Sequence, residues 1–101
     1  MPDDDADVRL LKGLADPGRL AIVRRLSDEG AVAASDLATC CDTEQPTLSH
    51  HLRVLRETGW VRSVRRGTRR FYSLEPGAVA RLGRIQREIG RAGEHGLHVV
   101  R

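Results

Sequence analysis

The chain has 101 residues, which is enough for one domain built around a single hydrophobic core. No apolar run approaches the roughly 18 residues of a membrane span, and the N-terminus lacks a signal-peptide pattern, so we expect a cytoplasmic protein with no membrane partner. The two cysteines are adjacent, at Cys40 and Cys41, which argues against a disulfide scaffold.

The net charge of +3 is distributed unevenly along the chain. Residues 1–44 carry a net charge of −5, whereas residues 45–101 carry a net charge of +8. Residues 53–70 alone contain seven arginines and one glutamate. Such a concentration of cations is typical of a segment that contacts a polyanion, although a solvated basic surface would have the same composition.

The N-terminal half predicts two consecutive helices. An acidic tail, residues 1–7, leads into a first helix from about Asp5 to Leu14, whose apolar residues share one side: Val8, Leu11, Leu14 and Ala15. Asp16 is the expected N-cap of a second helix, with Pro17 in its first turn. The second helix is expected to end near Ser27 and to bury Leu20, Val23 and Leu26.

A short strand and a third helix are predicted next. Residues 31–34 favour a strand after the break at Gly30. Ser35 is the expected N-cap of a third helix over residues 36–41, which buries Leu37. Thr43 is the expected N-cap of the helix that follows.

The fourth helix has two distinct faces. Leu48, Leu52 and Leu55 recur at i, i+4 and i+7, so they share one apolar face. Gly59 lies where a helix is commonly ended by a left-handed residue. The opposite face is polar: Pro46, Ser49, His50, Arg53 and Glu57. A helix with such a hydrogen-bonding face suits the major groove of DNA.

An arginine-rich hairpin follows the fourth helix. Residues 60–64 and 69–74, which mix apolar and polar side chains, are predicted strands, with Gly67 at the turn between them. Its cations suit the DNA backbone beside the groove. We therefore predict an α+β, mostly α, winged helix-turn-helix with about five helices and a two-stranded β-hairpin wing. It forms a single DNA-binding domain over residues 1–101, including a C-terminal tail at 94–101.

A fifth helix is predicted from Glu75 to about Gly93. Its apolar stripe comprises Val79, Leu82, Ile85, Ile89 and Ala92. Two terminal helices that each keep an apolar stripe are commonly buried across a two-fold axis. We expect a homodimer through the first and last helices, although packing within one chain would also bury the stripes; the expected interface residues are Val8, Leu11, Leu82, Ile85 and Ile89.

Two segments resemble the ArsR/SmtB family of winged-helix transcriptional repressors. LADPGRLAIVRRL is similar to the family's second-helix signature, and QPTLSHHLRVLRETGWV with the following wing is similar to its DNA-binding region. The resemblance covers roughly residues 8–90. It implies a homodimer that binds a palindromic operator in double-stranded DNA and responds to a small effector by release or, occasionally, by tightening.

The resemblance also implies which residues contact DNA. On the recognition helix these are Gln45, Thr47, Ser49, His50 and Arg53. On the wing they are Arg65, Arg66, Thr68, Arg69 and Arg70.

Two metal sites of the family are incomplete in this sequence. A thiolate site at the start of the third helix would require cysteines at Ala33 and Ser35. A site in the fifth helix would require ligands where Leu82 and Arg84 stand, and neither side chain binds a cation.

His95 and His98 match the second ligand pair of that fifth-helix site. Together with carboxylates from the N-terminal tail or Glu94, two imidazoles would suit Ni(II), Zn(II) or Co(II). The alternative is a solvated tail with two free histidines.

Cys40 and Cys41 immediately precede the turn into the recognition helix. Vicinal thiols there would suit a switch that binds arsenite-like species or oxidises. Adjacent helical side chains point roughly 100° apart, however, and free cysteines are commonly small buried residues. Of the two adjacent histidines, we expect His50 to contact DNA and His51 to make a structural hydrogen bond.

No pattern predicts catalysis, because the sequence lacks a phosphate-binding glycine loop, a nucleophile elbow and evident paired carboxylates. The competing class is a winged-helix module that binds protein instead of DNA. Such a module would lack cations on its wing, and this wing has five: Arg62, Arg65, Arg66, Arg69 and Arg70.

Overall fold

The computed structural model describes residues 4–40 and 44–91. Within those ranges the predicted winged helix-turn-helix, with five helices and a hairpin, is confirmed. In chain order the elements are α1 Asp4–Leu14, α2 Pro17–Glu29, β1 Ala31–Ala33, α3 Ala34–Cys40, α4 Gln45–Glu57, β2 Val61–Arg66, β3 Arg69–Leu74 and α5 Pro76–Gly90. Of the helices in the described ranges, none has the length and apolar character needed to cross a membrane.

The sheet has three strands, one more than the predicted two-stranded wing. Its order is β1-β3-β2, and both pairs are antiparallel. The short strand β1 adds to the hairpin by pairing Ala31 with Ser73 and Ala33 with Phe71. Gly67 adopts a left-handed φ of 64° at the hairpin turn, as its position predicts.

The core forms where the apolar face of α4 packs among α2, α3 and the sheet. Its most deeply buried large side chains are Trp60, Ile22, Leu26, Leu37, Leu48 and Leu55. Trp60 follows Gly59, whose φ of 91° confirms the predicted left-handed residue after α4. The Trp60 indole N–H donates a buried hydrogen bond of 2.7 Å to the Leu10 carbonyl oxygen, so it ties α1 to the start of the wing.

The structure shows which faces of α1 and α2 are buried in the core. In α1 the buried residues are Leu10 and Gly13, whereas Val8 and Leu11 are exposed. A Cβ at Gly13 would lie 2.5 Å from Thr58 Oγ1 and 2.9 Å from Trp60 Cδ1, so only glycine fits there. In α2 the predicted Val23 and Leu26 are buried, together with Ile22, whereas the predicted Leu20 is only half-buried. Contacts with distant elements select these faces.

The predicted N-caps are partly confirmed. Asp16 caps α2 by accepting a hydrogen bond from the Arg19 N–H at 3.1 Å. Ser35 is not a cap, because β1 runs directly into α3 and the helix begins at Ala34. The N-cap of α4 is Glu44 instead of Thr43, with no side-chain capping bond. Pro46 in the first turn of α4 has no N–H to offer such a cap.

A charged cluster joins the first and last helices. Asp7 Oδ1 accepts hydrogen bonds of 2.8 Å from both Arg81 and Arg84, and Arg84 also pairs with Glu88 at 3.2 Å. The Asp7 side chain is only 14% exposed. The hydrogen bond from Arg81, and then that from Arg84, lower the pKa of the Asp7 carboxyl, while partial desolvation opposes them.

The Asp7 cluster predicts a pH dependence of stability. A carboxyl whose pKa is lower in the folded chain contributes stability above its unfolded pKa and loses it as the pH falls. We expect the free energy of unfolding, measured with urea at pH 6 and pH 3, to fall less in Asp7→Asn than in the parent. Asp5→Asn, an exposed change in the same helical turn, is the control and should follow the parent. Equal pH dependence of all three proteins would contradict this role for Asp7.

Candidate nucleic-acid interface

The recognition helix α4 presents its polar face to solvent. Leu48, Leu52 and Leu55 are buried and fix the rotation of the helix about its own axis. Four of the residues expected to contact DNA are consequently exposed: Thr47, Ser49, His50 and Arg53. Gln45 begins the helix, and its side chain lies outside what the structure describes.

His50 and Arg53 contact each other on the exposed face. An Arg53 guanidinium nitrogen lies 3.3 Å from His50 Nδ1. Because arginine can only donate, Nδ1 must accept in this contact, which puts the proton of a neutral ring on Nε2. The pair therefore offers only donors to a ligand. The major-groove edge of guanine offers only acceptors, N7 and O6.

A buried histidine anchors the inner side of the same helix. His51 is 8% exposed, and its Nε2 lies 3.5 Å from the Asp16 carboxylate at the start of α2. The hydrogen bond from the Arg19 N–H is the main cause that lowers the pKa of Asp16. A Cβ at Gly18 would lie 2.8 Å from His51 Nε2. The absence of a side chain at Gly18 is therefore what lets α4 pack against the α2 terminus.

The wing groups its cations around the hairpin turn. Arg65, Arg66, Thr68, Arg69 and Arg70 are all exposed. On one face of the hairpin, Arg65 donates to the Gly67 carbonyl oxygen at 3.3 Å and Arg70 donates to Ser63 Oγ at 2.8 Å.

The other face carries Arg66 and Arg69. Both guanidinium groups lie over the ring of Phe71, and Arg69 also lies 3.5 Å from the Asp36 carboxylate of α3. Sequence reasoning did not identify Phe71 or Asp36 as parts of this surface. The alternation in β3 places Phe71 and Arg69 on one face, but α3 meets the wing only in the folded chain.

The residues expected at a dimer interface divide into two groups. Val8, Leu11 and Ile89 are 48%, 42% and 71% exposed, so they are large apolar residues in contact with water. Leu82 packs partly against the core, and Ile85 is buried within the single chain. The exposed members lie on α1 and α5, which pack side by side through the Asp7 cluster.

The candidate effector residues fall largely outside the described structure. This applies to His95, His98, Cys41 and the side chain of Cys40. Within residues 4–40 and 44–91, no three His, Cys, Asp or Glu residues are grouped so that they could hold a metal ion. Arg84 stands at one ligand position of the incomplete fifth-helix metal site, and its side chain pairs with Asp7.

Known proteins share this sequence and architecture. A family described as a helix-turn-helix domain matches residues 14–64. The arsenical resistance operon repressor of Escherichia coli (strain K12) is 36% identical, over 92% of this chain and 80% of that protein.

Solved structures agree with this match. The crystal structure of an ArsR family transcriptional regulator has a TM-score of 0.79 at 27% identity, covering 92% of this chain and 95% of that one. The solution structure of a homodimeric winged helix-turn-helix DNA-binding domain from Mycobacterium bovis has a TM-score of 0.70 at 33% identity, covering 96% and 87%. By sequence and fold, this chain belongs to the ArsR/SmtB family of winged helix-turn-helix, DNA-binding transcriptional regulators.

Proposed function

We propose that the protein is a homodimeric repressor that binds a palindromic operator in double-stranded DNA. The exposed polar face of α4, beside a wing with four exposed arginines at its turn, is the observation that carries this proposal. In this arrangement α4 enters the major groove of each half-site. The wing arginines, Arg65, Arg66, Arg69 and Arg70, contact the flanking phosphates.

The residues of α4 and the arginines of the wing have different roles in DNA binding. Phosphate contacts contribute affinity and register without sequence information, whereas base contacts contribute specificity. His50 and Arg53 together offer donors, which favours a G·C pair in each half-site. Thr47 and Ser49 have hydroxyls that donate or accept, so they tolerate more bases.

Substitutions should separate these tasks in a DNA-binding titration at several salt concentrations. Each phosphate contact contributes about −0.9 to the slope of log K against log salt, so a dimer using two or three arginines per wing should give roughly −4 to −6. Arg66→Ala should weaken binding to all sequences and flatten the slope by about one unit for each lost contact in each half-site. Arg53→Ala should instead lose about 1–3 kcal/mol of discrimination between operator and random DNA.

Two results would contradict these assignments. A slope near zero on palindromic DNA would exclude DNA binding by the wing and would favour the protein-interaction module. Unchanged discrimination in Arg53→Ala would mean that α4 reads DNA through other residues.

Dimerisation is supported by the apolar residues that α1 and α5 leave exposed. Val8, Leu11, Val79 and Ile89 are large, apolar and in contact with water in the single chain. Burial of such residues across a two-fold axis is the common outcome, and the related M. bovis domain is a homodimer. The proposed contact centres on these residues and on Leu82, since Ile85 is already covered within its own chain.

Ile89→Glu should disrupt this dimer. It would bury an unpaired charge at the contact, a change that costs about 3–5 kcal/mol. Sedimentation should show monomers at low micromolar concentration, with operator binding lost. Ala80→Glu, which adds the same charge at an exposed position on the other side of α5, should remain dimeric. A dimer that survives Ile89→Glu would exclude this interface.

For the effector, we propose a nitrogen and oxygen metal site that uses His95 and His98. Its carboxylates come from the acidic start of α1, which lies beside α5. Asp7 is already held by two arginines, so the exposed Asp4 and Asp5 are the better donors. The thiol alternative at Cys40 and Cys41 is retained, since the E. coli relative is named for arsenical resistance.

A metal panel distinguishes the two proposals. Ni(II), Zn(II) or Co(II) should change operator affinity by roughly 5- to 150-fold, the usual range for coupled sites. His95→Ala/His98→Ala should abolish that change and leave metal-free DNA affinity intact. If the double variant responds as the parent does, the histidines are not ligands. A response to arsenite that Cys40→Ser/Cys41→Ser abolishes would then support the thiol site.

A further inference from the structure

Phe71 lies beneath two wing arginines on the outer face of the sheet. The Cζ atoms of Arg66 and Arg69 lie 5.8 Å and 5.3 Å from the centre of its ring. Both distances fall within the ~6 Å over which a cation is attracted to an aromatic face. Within residues 4–40 and 44–91, these two contacts are the cation–π pairs of the structure.

The strand register produces this arrangement. Arg66 pairs with Arg69, and Val64 pairs with Phe71. Since alternate residues of a strand point to the same side, all four side chains share one face. The opposite face is the core side, where Val61 and Tyr72 are buried. Phe71 itself is only half-buried, so its ring is available to the guanidinium groups.

Contact with a ring leaves an arginine able to bind phosphate. A guanidinium that lies over an aromatic ring uses its face, and its five N–H donors remain free at its edges. The Asp36 carboxylate, 3.5 Å from Arg69, instead occupies N–H donors that a phosphate would need. Both members of that pair are more than half exposed, so the pair is weak and exchangeable.

We propose that Phe71 is a positioning residue for DNA binding, which holds the side chains of Arg66 and Arg69 in place for the phosphate backbone. This inference rests on the DNA binding proposed above. Ordering one long side chain on binding lowers affinity by roughly 2- to 12-fold. Phe71 removes part of that loss, because the two arginines are already held over its ring in the free protein.

Phe71→Leu tests the proposal when it is made in two backgrounds. In the parent, it should weaken binding to palindromic DNA by at least about fivefold, since two side chains in each subunit lose their preordering. In Arg66→Ala/Arg69→Ala, it should change affinity by less than about twofold, the usual limit for independent sites. Phe71→Tyr keeps the ring and should bind as the parent does. Titrations at low salt keep the weaker variants measurable.

Two controls separate positioning from a general effect on the fold. Val64→Ala removes the cross-strand neighbour of Phe71 on the same face and should leave DNA affinity unchanged. Thermal unfolding shows whether each variant is folded. If Phe71→Leu does not fold, Phe71→Ile, a β-branched residue suited to a strand, replaces it in the same comparison.

Two outcomes would overturn the proposal. An equal loss of affinity in both backgrounds would show that Phe71 acts on the fold and not through the arginines. No loss in the parent background would show that the ring does not position them. Failure of the parent itself to bind any duplex would instead refute the proposed function.

Discussion

Trp60 fixes α4 relative to the wing, and the arrangement of α1, α4, the wing and α5 depends on it. Its backbone N–H donates to the Leu55 carbonyl oxygen at the end of α4, and its own carbonyl oxygen accepts from the Glu75 N–H before α5. Its indole N–H reaches the Leu10 carbonyl oxygen in α1. One fully buried residue therefore joins α1, α4, the wing and α5, and a buried polar group of this kind requires its partner.

Helix α1 packs against the core with one face and leaves apolar residues exposed on the other. Leu10 and Gly13 face the core beneath Trp60, and Gly13 must lack a side chain to do so. Val8 and Leu11 then face outward, beside the exposed part of α5. The requirements of the core thus decide which apolar residues remain for an interface with a second chain.

The four arginines at the turn of the wing stay exposed to solvent, and the ion pair that Arg69 makes within the chain is weak. Arg65 and Arg70 make hydrogen bonds within the hairpin, whereas Arg66 and Arg69 lie over Phe71. The carboxylate near them, Asp36, is exposed and can be displaced at small cost. By contrast, Asp7 is largely covered and pairs with Arg81 and Arg84 of α5.

The sequence by itself determined the features that depend on neighbouring residues. The two faces of α4 follow from the leucine spacing, and the start of α2 follows from Asp16. The end of α4 and the hairpin turn are marked by Gly59 and Gly67, whose φ values are positive. The charge division and the hairpin were also evident, because both are local properties of the chain. These features were sufficient to predict a DNA-reading fold.

Only the tertiary structure decided the features that depend on residues far apart in the chain. In α1 it is Leu10 that is buried, at the point where Trp60, fifty residues away, hydrogen-bonds to the Leu10 carbonyl oxygen. Strand β1 joined the wing because its edge meets β3, some forty residues later. The pairing of Asp7 with Arg81 and Arg84 likewise spans most of the chain. Local periodicity carries no information about such partners, since they are selected by packing once the elements have formed.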